Sequence, residues 1–74
     1  MKNGKLMQYY LDACAEDLRL QRSDDLELLE ELNRRLEAGV SNNLAHAVLA
    51  DGWTMAEIDA AYNRRFGVRV RRGR

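Results

Sequence analysis

The chain contains no proline, a single cysteine and few aromatic residues: three tyrosines, one tryptophan and one phenylalanine. A lone thiol, Cys14, excludes an internal disulfide. With no charged start running into a long apolar stretch, secretion is not expected and a reducing cytoplasm is. No apolar run approaches the roughly 18 residues that cross a bilayer. The longest, Leu44 to Ala50, is interrupted by His46. Without proline, helix ends have to be marked by glycines and capping side chains. A chain of 74 residues makes one domain, and at that size only about 60% of the unfolded surface is buried, which leaves little room for an enzyme site. Its 46% apolar and 32% charged residues lie in the globular range rather than the disordered one.

What the chain does contain is helical periodicity, four times over. Met7, Leu11, Cys14 and Leu18, with Tyr10 beside them, form one stripe of a helix over about residues 4–21. Ser23 fits the N-cap of a second helix, with Asp24, Asp25 and Glu27 where the helix dipole favours negative charge. Its apolar stripe is Leu26, Leu28, Leu29, Leu32 and Leu36. Glu30 and Glu31 stand four residues before Arg34 and Arg35 on the wet face, and Gly39 supplies the C-cap. Ser41 can cap a third helix through Leu44, Ala45, Ala47, Val48 and Leu49, which is apolar nearly all round and expected to be the most buried; Gly52 ends it. Thr54 and Glu57 form a capping box for the fourth, with Trp53 as a hydrophobic staple on Ile58. Met55, Ile58, Ala61, Tyr62 and Phe66 should face inward before Gly67 stops the helix. The expectation is a small all-α, four-helix domain over residues 1–67, followed by a flexible Arg-rich C-terminal tail over 68–74 whose VRVRRGR has no partner strand.

Net charge is zero, but the charges are sorted along the chain. Residues 12–59 carry twelve acids against four arginines, and residues 60–74 carry six arginines and no acid. An acidic body repels phosphate and a basic end attracts it, so any nucleic-acid contact is expected from Arg64, Arg65, Arg69, Arg71, Arg72 and Arg74.

Candidate chemistry is sparse. His46 has Asn42, Asn43, Leu49 and Ala50 at helical spacing, which supplies no metal ligand or catalytic partner. Cys14 lies on the core stripe with no histidine or lysine beside it on that helix and reads as a small buried hydrophobe. Asp24, Asp25, Glu27, Glu30 and Glu31 lack the spacing and central glycine of a calcium loop. No catalytic residue, metal site or cofactor is expected. For partner binding the candidates are Tyr9, which falls off the core stripe, Trp53, and the carboxylates Glu30 and Glu31, which can meet a basic surface.

Residues 44–68, LAHAVLADGWTMAEIDAAYNRRFGV, resemble the opening two helices of helix-turn-helix proteins: an apolar helix, a glycine turn and a Thr-x-x-Glu-Ile helix. That family places a base-reading helix after these two, where this sequence has the arginine-rich end, so base-specific readout is not expected. In length, four-helix layout and sorted charge, the whole chain also resembles small bacteriophage transcription regulators that bind host RNA polymerase. This resemblance implies a non-enzymatic regulator in the host cytoplasm that adheres to bacterial RNA polymerase, inhibiting initiation or promoting antitermination, with its arginine tail near nucleic acid. Two alternatives stand beside it. One is a small helix-turn-helix-like repressor that acts as a dimer, with Arg64, Arg65 and the tail on phosphates. The other is an inhibitor of a host nucleic-acid-handling defence complex, in which the acidic face copies a phosphate backbone.

Overall fold

The computed structural model describes residues 2–67, which form four helices: α1 Gly4–Gln21, α2 Leu26–Ala38, α3 Val40–Ala50 and α4 Met55–Phe66. The fold is all-α, with no strand among the described residues. The tail expected from residue 68, with Arg69, Arg71, Arg72 and Arg74, lies outside them.

α1 is the hub, packing on each of the other three helices. Met7 and Leu11 meet Val48 of α3 and Ile58 of α4 in the main core, and Leu6, Tyr10, Trp53, Ala61, Tyr62 and Phe66 pack around it. A second flank of α1 is also used. Ala13 and Leu20 are buried there, on the side of the helix that carries Asp17. From Asp17, one carboxylate holds three helices: Arg35 of α2 donates to one oxygen and the Ser41 hydroxyl of α3 to the other.

Polar links run along the α1/α4 seam in register. Lys2 pairs with Glu57 at the start of both helices, and Asp12 pairs with Arg65 farther along both, so α1 and α4 lie side by side in parallel. The described residues measure 39 × 33 × 17 Å. Helices keep outer faces that no other described element covers, with Leu26, Leu36 and Met55 on them.

Several local expectations hold. α1 spans the expected residues, Gly39 and Gly67 cap α2 and α4 in the left-handed region at φ 67°, and the Thr54–Glu57 capping box is complete in both directions. Others are corrected. Ser23 does not cap α2; its hydroxyl accepts from the Asp25 amide, and Asp25 caps the helix by accepting from the Glu27 amide. Asp24 and Asp25 therefore precede the first turn. Ser41 does not cap α3 either, because that helix starts at Val40 on Gly39 and Asp17 takes the Ser41 hydroxyl. α3 is not the most buried helix: Val48 is its only fully covered residue and Leu49 is exposed, while α1 holds four of the buried side chains. Leu26, Leu36 and Met55 face solvent rather than the core. Glu31 pairs with Arg34 three residues on, and Arg35 turns inward to Asp17, so the expected four-residue spacing of these pairs is not formed.

Candidate functional site

The surface that remains after folding has three parts. The first is apolar. Leu26, Leu36, Met55 and Tyr9 are 75%, 60%, 60% and 59% exposed, against six buried apolar side chains among the described residues. Leu26 is exposed because it is the first residue of α2, immediately beyond its Asp25 cap. Met55 is the first residue of α4, beyond Thr54, and stands out in the same way.

The second part is a groove of about 460 Å³ between the last two turns of α1 and the end of α4. Ala15, Leu18, Tyr62 and Phe66 supply its apolar lining, and Arg19 and Arg22 its charge. The two rings sit 4.6 Å apart and tilted by 50°, an i, i+4 pair held by helix geometry. Arg65 lies over Phe66, 5.6 Å from the ring centre, and pairs with Asp12. Arg19 is held by Glu16 through two hydrogen bonds, and its guanidinium keeps the Glu16 carboxyl below the usual carboxylate range. Arg22 is exposed and has no ion pair among the described residues.

The third part is acidic. Asp24, Glu27 and Glu30 are exposed around Leu26, and Asp25 lies among them with one carboxylate oxygen engaged in capping. Of the expected partner-binding residues, Glu30 is open to solvent while Glu31 is half-buried and tied to Arg34. Tyr9 is exposed on the far side of α1 from its core stripe. Trp53 is half-buried against the core that contains Ile58, with the Lys2 ammonium 5.0 Å from its ring. Its indole Nε1 is buried with no acceptor among the described residues. Arg64 is exposed at the end of α4. The structure thus does not bring Tyr9, Trp53, Glu30 and Glu31 together as one patch on one helix.

Reactive groups are turned down rather than activated. Cys14 is half-buried rather than a fully covered hydrophobe, and burial raises its pKa, which keeps it a thiol. Tyr10 is pushed up to about 12 by burial and by its hydrogen bond with Cys14. His46 is exposed on α3. Among the described residues no group of three or more His, Cys, Asp or Glu side chains is placed to hold a metal ion, and no helix is long and apolar enough to cross a membrane.

Sequence reasoning passes over the groove, because it places Leu18 on the core stripe and gives Arg19 and Arg22 no role. The available signal was the i, i+4 pair Tyr62 and Phe66 next to two arginines, but the register of α1 against α4 is needed to join them. No protein-family model, no curated protein and no solved structure matches the chain.

Proposed function

We propose that the chain is a non-enzymatic transcription regulator of the bacteriophage type, which binds bacterial RNA polymerase through its helical surface and inhibits initiation or promotes antitermination. The observation that carries the adhesive part of this reading is the exposure of Leu26, Leu36, Met55 and Tyr9. These four large apolar side chains, left uncovered on three helices, are the contact points that this reading offers to another protein. The identity of the partner rests on the whole-chain resemblance in length, helical layout and sorted charge. On this reading the positive charge of the sequence from Arg64 onward is available to nucleic acid held by the partner.

The test is direct binding of the purified chain to core polymerase and to holoenzyme, followed by transcription from a promoter template. The reading requires binding, loss of binding on Leu36→Ser with Met55→Ser, and reduced initiation or increased readthrough. A chain that binds neither form of the polymerase rules it out.

A second reading draws on the α3, turn and α4 unit, which keeps the glycine turn and capping box of a helix-turn-helix opening and ends on the exposed Arg64. It is a small dimeric DNA-binding repressor. Gel shifts that show only sequence-blind binding lost at moderate salt eliminate it.

A further inference from the structure

The groove and the acidic knob occupy the same end of the molecule. Arg22 lines the groove as the cap of α1, and Leu26 opens α2 four residues later. Four residues reach at most about 14 Å, so the two features are neighbours. Leu26 is nevertheless 75% exposed and therefore does not fill its own groove.

Their chemistries are complementary. The groove offers an apolar floor of Leu18, Tyr62 and Phe66, with Arg22 unpaired among the described residues. The knob offers one large apolar side chain, Leu26, next in sequence to Glu27, two residues from Asp24 and one helical turn from Glu30, none of which has an ion pair among the described residues. A surface that carries a receptor and its matching knob side by side is self-complementary, which is the requirement of a two-fold interface.

We infer that the chain forms a symmetric dimer in which Leu26 of each copy enters the α1/α4 groove of the other, with Asp24 and Glu30 against the other copy's Arg22. Each dimer contains this contact twice. The chain's own end is a poorer occupant, since residues 68–74 carry four arginines of the same sign as Arg19 and Arg22. A nucleic-acid strand is poorer too. The groove's two rings are tilted by 50° rather than offering successive flat faces, and the acidic residues beside Arg22 repel phosphate.

The dimer would cover Leu26 and leave Leu36, Met55 and Tyr9 to the polymerase reading, and its test is separate, because it is measured on the purified chain alone. Sedimentation equilibrium from about 1 µM to about 1 mM covers the range of weak to moderate self-association. The wild type should reach the dimer mass. Arg22→Glu sets like charges against each other at both contacts, as does Asp24→Lys, and each should weaken the dimer by about tenfold or more. Mixed together, the two variants should associate again, since in the heterodimer the reversed groove meets the reversed knob and the native groove meets the native knob. Leu26→Ser should also loosen the dimer while leaving the helical circular dichroism unchanged.

A wild type that stays monomeric to about 1 mM overturns the proposal, as does a mixture that fails to restore association. A dimer lost on deleting residues 68–74 would place the contact in that segment and equally overturn it.

Discussion

Arg35 of α2 donates from Nε to Asp17 of α1 at 2.6 Å and from its terminal nitrogen to the Ala13 carbonyl at 3.0 Å. Both side chains are more than four-fifths covered. The fork therefore fastens α2 through a side chain and a main-chain group at once, while Ser41 brings α3 to the same carboxylate.

Removing Asp17 should consequently cost more than a surface pair does. Asp17→Ala leaves a covered guanidinium without its charge partner, and the expected loss is about 2 kcal/mol, set by the worth of hydrogen bonds to charged groups. A domain this small has a total stability near the low end, on the order of 5 kcal/mol, so that loss is large. Urea denaturation followed by circular dichroism measures it. A change under about 0.5 kcal/mol would show the link to be worth no more than an exposed ion pair.

The capping box gives a second prediction, with a sign in pH. Thr54→Ala removes the acceptor of the Glu57 amide, at a cost of about 1 kcal/mol. The Lys2 ammonium, and then the Thr54 backbone amide, hold the Glu57 carboxyl below its ordinary range. A carboxyl lowered in the folded state adds stability above its unfolded pKa, and that contribution disappears as pH falls through the lowered value. Glu57→Gln should flatten the acid limb of a stability–pH curve. An unchanged acid limb in that variant would remove Glu57 from the account.

Tyr10 sets the behaviour at the other end of the pH scale. Burial, then its hydrogen bond with Cys14, raises the phenol from 10.0 to about 12. An acid whose folded pKa is raised contributes stability that is complete below its unfolded pKa and is lost as pH climbs through the folded value, here from 10.0 towards about 12. Absorbance titration of the folded chain should therefore show a late tyrosinate component near pH 12 that Tyr10→Phe abolishes. A titration in which Tyr10→Phe removes only an ordinary component contradicts the buried phenol.

What the sequence disclosed and what it withheld divide by the range of the interaction. The Thr54–Glu57 box and the glycine caps Gly39 and Gly67 form within a turn, and they are where the pattern puts them. The start of α2 moved by two residues because Ser23, Asp24 and Asp25 are all competent caps. The choice of Asp25 follows from Ser23 satisfying the Asp25 amide. Ser41 was misassigned for a different reason, since its partner Asp17 lies 24 residues away. Leu20 was missed because its flank of α1 contains Asp17, a charge that breaks the apolar pattern until Arg35 arrives to neutralise it. For the surface, the charge sorting and the exposure of Tyr9 and Glu30 were legible, while the groove needed the parallel register of α1 and α4.

A leucine stripe gives no indication of how wide the neighbouring helix is, and that sets the last prediction. Leu20 is fully buried although it lies off the expected stripe of α1, and Leu36 is 60% exposed although it lies on the expected stripe of α2. Leu20→Ala should cost about 3 kcal/mol through lost burial and a cavity, more than half of a total on the order of 5 kcal/mol, and should lower the denaturation midpoint accordingly. Leu36→Ser should stay within about 0.5 kcal/mol of wild type, as surface substitutions do. If the exposed face is where the partner sits, Leu36→Ser should instead weaken polymerase capture while the denaturation midpoint holds. The two leucines thus separate folding from adhesion. A Leu36→Ser variant that loses stability in step with Leu20→Ala would mean that α2 is buried against the domain more deeply than its exposure shows, and one that binds the polymerase like wild type would take Leu36 out of the contact surface.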